Sequence, residues 1–254
     1  MRSARPLLHA YAVLAYAAFL LATAWGVGFL ADLSSAPTTV DGPLRGSRWE
    51  SLLIDAGLLL LFAVQHSVMP RPGFKRRLAR VLPVEAERST FVLVSALLLG
   101  LLFWQWRPLP GEIWTVSGRP WVALLWTLYA LGWVLVVAST FMVDHRDFTG
   151  LRQARWDPAR GPYTAPGFSE RWLYAWIRHP LMLGLLVAFW ATPRMTVGHL
   201  LFAVASTGYI VVGVRFEERD LRRTLGAAYD EYADRVPAVV PGARRPRRTS
   251  SPAA

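Results

Sequence analysis

The last third of the chain sets residues that handle charge and flat groups at fixed spacing. It reads Arg178-His179-Pro180-x-x-x-Gly184, then, past a run of apolar residues, Arg215-x-Glu217-Glu218-x-x-Leu221. It closes on Gly226-x-x-Tyr229-x-x-Tyr232-x-x-x-Val236-Pro237-x-x-x-Pro241. A guanidinium such as that of Arg178 or Arg215 grips a carboxylate through two parallel N–H donors. Glu217 or Glu218 can take an ammonium or hydroxyls, and Tyr229, Tyr232 and Trp176 offer faces to a flat ring or a cation. His179-Pro180 suits a helix start, since proline fits the first turn and the free N–H groups there attract an anion. Arg215, Glu218 and Arg219 share one helical face. Each feature also has a plain structural reading. Arg and Pro at the start of an apolar helix anchor it, Glu–Arg patterns form solvated surface, and His179 caps a helix. The order and spacing of the whole set point to a binding site.

Two earlier polar segments each carry a histidine. One is Gln65-His66-Ser67-Val68-Met69-x-Arg71-Pro72-Gly73-Phe74-Lys75, the other Asp144-His145-x-Asp147-Phe148-x-Gly150-Leu151-Arg152-Gln153. His66 or His145 could take a proton near neutral pH, with Arg215 and Glu218 as further catalytic candidates. Gln65, Asp144 and Gln153 are candidates to orient a substrate. A core or headgroup-facing histidine is the competing reading for both. No metal is expected: His66, His145 and Asp144 lack paired ligand spacing. The chain has no cysteine, which excludes disulfides, thiolate metal sites and cysteine nucleophiles. It has no glycine-rich phosphate loop or dinucleotide fingerprint.

The elements that must hold these residues are apolar and long. The chain is 54% hydrophobic with 12 tryptophans, an unusual load for a soluble domain. Crossing a bilayer takes about 20 apolar residues as helix, and the runs at about 8–31, 51–69, 89–106 and 120–143 qualify. Residues 144–177 are too polar to span. Two close runs follow, 180–192 and 197–214, broken at Thr192-Pro193-Arg194, and read as a helical hairpin. From Arg215 an amphipathic helix is expected. The reading is an all-α polytopic membrane protein with five to six transmembrane helices and a C-terminal pocket facing the cytoplasm. One membrane domain is expected over 1–254: four spans in 1–142, a connector over 143–178, the hairpin and cofactor segment over 179–241, and a disordered tail over 242–254.

Net charge is +11, and the basic residues lie between apolar runs, which suits orientation in a membrane and contact with lipid headgroups rather than nucleic acid. Of 28 Lys and Arg, 23 fall in the N-terminus, 70–88, 144–178 and the segment from 215; Arg45, Arg48, Arg107, Arg119 and Arg194 fall on the other side. That split predicts cytoplasmic termini.

The C-terminal set resembles the isoprenylcysteine carboxyl methyltransferase superfamily, which includes the NnrU-like membrane proteins. Arg178, His179, Pro180 and Gly184 match its Arg-His-Pro-x-Tyr-x-Gly motif, with Met182 in the tyrosine's place; Glu217, Glu218, Leu221, Tyr229 and Tyr232 match its later elements. With the two histidine segments, and with Glu87-Arg88-Ser89-Thr90 and Leu102-Phe103-Trp104-Gln105-Trp106-Arg107-Pro108, the chain is similar over about 50–241 to bacterial membrane thiol methyltransferases that turn methanethiol into dimethyl sulfide. The resemblance implies S-adenosyl-L-methionine as cofactor, held by Arg178, His179, Pro180, Gly184, Glu217, Glu218, Tyr229 and Tyr232. It implies a small thiol as substrate and the bacterial inner membrane as location. No protein partner is implied. Another small thiol or lipid-like acceptor, or a non-enzymatic NnrU-like role in nitrogen-oxide metabolism, stays open.

Overall fold

The computed structural model describes residues 4–240 other than 158, 160, 165, 166, 168 and 169. The expected disordered tail, Pro241 of the closing motif, and Arg2 and Arg160 of the charge pattern lie outside the described residues. The chain runs α1 (Ala4–Leu30), α2 (Arg48–Val68), α3 (Pro72–Leu78), α4 (Val84–Gln105), β1 (Glu112–Thr115), α5 (Arg119–Val143), α6 (His145–Phe148), α7 (Pro180–Trp190), β2 (Arg194–Thr196), α8 (Val197–Leu225) and α9 (Ala227–Arg235). Helices α1, α2, α4, α5 and α8 are long and apolar enough to cross a membrane. Leu21, Leu53, Leu60, Leu131, Val134 and Phe141 stand exposed on them, an outer surface suited to acyl chains. The apolar core lies at one end of the bundle, where Phe29 meets Phe103 at 4.8 Å and Phe189 meets Phe202 at 5.3 Å between ring centroids.

Local chemistry fixes the helix starts. Ser47 accepts from the Glu50 N–H at 3.1 Å to cap α2, and Thr196 accepts from the His199 N–H at 3.2 Å to cap α8. Proline opens α3, α5 and α7. The expected amphipathic stretch from Arg215 is the continuation of α8, and Gly226 (φ 57°) turns the chain into α9.

The hairpin is asymmetric. Helix α7 has 11 residues, a rise of about 16 Å, whereas α8 has 29. Alone α7 falls short of the roughly 30 Å hydrocarbon layer, yet it traverses the bundle, because non-helical chain finishes the crossing. β2, which follows α7, pairs antiparallel with β1, which precedes α5. This two-stranded ribbon was not anticipated from sequence. α7 lies against α5 at a glycine crossing. A Cβ on Gly184 would meet the Gly132 carbonyl oxygen at 2.7 Å, and one on Gly132 would meet that of Gly184 at 2.8 Å.

Contacts between loops sort the two faces. Arg5 pairs with Asp157 at 2.6 Å, and the Arg178–Glu218 pair joins the start of α7 to the last turns of α8. Both ends of the described chain therefore share a face with the 144–178 connector. On the other face Trp106 Nε1 donates to Val40 O at 3.1 Å, and the Arg107 N–H donates to Asp55 at 2.9 Å.

Candidate active site

The C-terminal motifs converge at the start of α7. Arg178 is buried; its Nε donates to Glu218 Oε1 at 2.9 Å, its Nη2 to the same oxygen, and its Nη1 to the carbonyls of Ala233 and Val236. The backbone joins in: the Arg178 and His179 N–H groups each donate at 2.9 Å, to Pro237 O and Ala238 O. Glu218 is shared further, with His179 Nε2 at 3.4 Å and Arg222 Nη2 at 3.6 Å. Asp230 holds Arg222 at 3.0 Å from α9. One buried carboxylate thus ties α7, α8 and the closing segment together.

Tyr229 and Tyr232 are almost wholly buried, with rings 5.9 Å apart and packed on Leu221, Leu225 and Val236. The Tyr232 hydroxyl donates to Tyr174 O at 2.6 Å. Burial raises both phenols above their ordinary value of 10, so both are neutral. Pro180 is buried, and Gly184 serves the crossing with α5. The solvent-facing members are different ones. Glu217, whose side chain is 53% exposed, lies 3.6 Å from His179 Nδ1; Arg215 is exposed, and Trp176 is 77% exposed.

The two histidines occupy different walls of the bundle. His66 sits near the end of α2, stacked on Phe62 at 5.1 Å, with Phe91 at 4.9 Å and Tyr209 at 6.4 Å. Its Nδ1 meets Ser95 Oγ at 3.2 Å; no hydrogen bond engages Nε2 among the described residues. Gln65 Nε2 bonds the same Ser95 oxygen at 3.3 Å and Met69 Sδ at 3.0 Å. His145 is different. Thr140 gives its only proton to Val137 O at 2.7 Å, so at 2.8 Å from His145 Nδ1 it accepts. The imidazole proton is therefore on Nδ1, and Nε2 accepts from the Tyr16 hydroxyl at 3.0 Å. Both ring nitrogens are in use, and burial holds His145 below its usual 6.5 against the pull of Asp144.

Asp144 and Gln153 also have protein partners. Asp144 accepts from the N–H groups of Arg146 and Asp147 at 3.0 and 3.1 Å and from Arg152 at 2.7 Å. Burial works to raise its pKa, but those bonds outweigh it and hold the carboxyl below 3.8. Gln153 Oε1 accepts from the Arg88 N–H at 2.9 Å. Arg88 escaped the sequence reading of roles. Its Nε donates to Phe148 O at 3.1 Å, and its guanidinium lies over Phe91 and Phe148 at 5.3 and 5.6 Å. No carboxylate comes within 4 Å of it among the described residues; nearby Glu87 pairs with Lys75, and Asp147 takes the Tyr163 hydroxyl. Phe91 thus lies between His66 and the Arg88 cation. Ser95, Tyr209 and Arg88 had a usable signal: polar side chains inside or at the mouth of apolar runs.

Helix α8 links these regions. Its Tyr209 meets His66 and Ser67, its Asp220 pairs with Arg71 at 3.1 Å, and its Glu217 and Glu218 meet His179 and Arg178. Residues 54–222, from α2 through this stretch of α8, match the family described as NnrU protein. The chain belongs to the NnrU family. This NnrU chain is 46% identical over 235 residues to the methanethiol S-methyltransferase of Mycobacterium tuberculosis, covering 92% of this chain and 96% of that protein. It is 48% identical over 240 residues to methanethiol S-methyltransferase 2 of Bradyrhizobium diazoefficiens, covering 94% and 92%. Nurim of Xenopus laevis is more distant, 32% identical over 197 residues, covering 72% and 67%. No solved structure matches this NnrU chain. The family match takes in His66, Arg88, His145, Arg178 and Glu218, and ends before Tyr229.

Proposed function

We propose that this chain transfers the methyl group of S-adenosylmethionine to methanethiol, giving dimethyl sulfide, at the arginine-rich face of a bacterial inner membrane. The observation that carries this reading is coverage: two proteins named methanethiol S-methyltransferase align with more than nine tenths of both chains.

The donor set fits the cofactor's chemistry, which combines a carboxylate, an ammonium, a sulfonium and an adenine. Glu217 would take the ammonium or ribose hydroxyls and Trp176 a flat or cationic face; Arg215, two residues from Glu217 and so on the opposite side of α8, does not share that head group. Arg178, His179, Pro180, Gly184, Glu218, Tyr229 and Tyr232 form the frame that holds these groups. When bound, the cofactor supplies the electrophilic methyl carbon.

The acceptor is a small apolar thiol whose thiolate is the nucleophile. His66 suits it: three aromatic rings surround the imidazole, and Nε2 has a free lone pair in the tautomer with Nδ1 protonated. There Nε2 would take the thiol proton and leave the thiolate as the nucleophile for the methyl carbon that the bound cofactor would supply. Arg88, at the edge of the same cage, favours the anionic sulfur. Gln65 holds Ser95 and thereby His66; Asp144 and Gln153 fix the connector beside Arg88.

The test is direct. Purified protein with S-adenosylmethionine and methanethiol should release dimethyl sulfide into the headspace. None above the protein-free control would overturn the proposal.

A further inference from the structure

Away from this cage a cavity of about 320 Å³ opens between α1 and the connector, lined by His9, Val13 and Tyr16 from the helix and by Arg146, Arg152 and Arg155 opposite. Its charges are unequal. Arg152 is neutralised by Asp144 at 2.7 Å. Arg155 donates to His9 Nε2 at 3.1 Å. A guanidinium can only donate, so His9 Nε2 accepts there. The bond therefore holds Arg155 in place without cancelling its charge. Arg146 makes no ion pair among the described residues. Two uncompensated guanidiniums thus share one concave site, an arrangement that an anion stabilises.

Position says what carries the anion. Residues 9, 13 and 16 lie on one face of α1, a helix long and apolar enough to cross a membrane, and the apolar Val13 and Leu151 line the cavity beside the arginines. The connector lies on the arginine-rich face. The cavity is therefore at the rim of the bundle, where a helix meets headgroups, with polar donors on one side and apolar residues beside them. We propose that it binds a phosphate group, carried by an anionic phospholipid of the inner leaflet whose acyl chains run along α1. This is a lipid site separate from the methyl-transfer cage, and it does not depend on that reading. It also accounts for a tether: a bound headgroup would join α1 to the segment whose Gln153 and Phe148 contact Arg88.

The test compares the full chain with Arg146→Ala/Arg155→Ala, each reconstituted in nanodiscs of phosphatidylcholine alone or with an equal part of phosphatidylglycerol, then released for native mass spectrometry. The wild type should retain phosphatidylglycerol, and the double variant should hold it at least about tenfold more weakly, since losing even one charge-assisted contact costs about that much. Arg146→Lys/Arg155→Lys, which keeps the charge but not the fork, should fall between and checks that folding is intact. Equal retention by the wild type and the alanine variant overturns the site. Thermal stabilisation of the detergent-solubilised protein by inorganic phosphate matching that from phosphatidylglycerol overturns the lipid assignment. Release of the lipid by S-adenosylmethionine overturns it too, and gives the cavity to the cofactor.

Discussion

At the residue scale the decisive contrast is between two histidines that look alike in sequence. Each follows a polar residue at the edge of an apolar run, and only their neighbours separate them. His145 spends both nitrogens on Thr140 and Tyr16, while His66 keeps Nε2 open inside an aromatic cage. His66→Ala should therefore lower turnover by about 10²–10⁴-fold, the usual worth of general-base help, and leave cofactor affinity by calorimetry unchanged. The deficit should narrow at high pH, where thiolate forms without a base. Full headspace activity in His66→Ala at neutral pH would remove it from the reaction. Sequence motifs located the clamp residues but could not distinguish gripping a ligand from gripping each other. Arg178 has four of its five N–H donors taken by Glu218 and two carbonyls, a matter of distances that spacing does not encode. The side chains of Arg178 and Glu218 are only 4% and 7% exposed, so Arg178→Met strands a buried carboxylate and should cost about 3–5 kcal/mol of stability. Arg178→Met/Glu218→Leu should recover most of that loss in thermal unfolding, an outcome a purely ligand-binding arginine would not give.

At the element scale, the long helices were legible because about 20 apolar residues leave the backbone few options. The joins were less so: the apolar run 197–214 and the amphipathic helix expected from Arg215 are one helix, Val197–Leu225, whose last turns find Arg178 and α9 to pack on. The β1–β2 ribbon was hidden because each strand is too short to show alternation. Gly184, part of the motif ascribed to the cofactor, also lets α7 approach α5 through its absent side chain, which a motif cannot reveal. Gly184→Ala should lower the unfolding midpoint, since the atoms its Cβ would strike at 2.7–2.9 Å include backbone oxygen and nitrogen that cannot step aside. An unchanged midpoint would mean the crossing relaxes freely. The connector is the pH-sensitive element. His145 is held below 6.5 when folded, so the unfolded chain binds the extra proton first. Its contribution is full above pH 6.5 and falls as acid is added through the folded pKa. The midpoint of the wild type should drop from pH 7 to pH 5.5 more steeply than that of His145→Gln.

At the scale of the whole molecule, charge and geometry make separate statements about the same bundle. Geometry puts both described ends and the 144–178 connector on one face, through Arg5–Asp157 and Arg178–Glu218. It also requires α7 to traverse despite its 11 residues, since β2 pairs with the strand before α5. With that pass added to the five long apolar helices, six crossings are expected, and an even number returns the chain to the face where it began. Geometry alone leaves open which face meets the cytoplasm. Charge makes the prediction: 23 of 28 basic residues fall in the terminal segments, 70–88 and 144–178, and Lys and Arg in short loops favour the cytoplasmic side. The absence of cysteine makes this testable one site at a time. Ser34 and Ala79 are both exposed and lie on opposite faces. In intact cells a membrane-impermeant maleimide should label Ser34→Cys and spare Ala79→Cys until the membrane is opened. Labelling of Ala79→Cys with Ser34→Cys protected would invert the molecule and turn the cage and the lipid cavity toward the wrong leaflet. Labelling of both in sealed cells would break the six-crossing count itself.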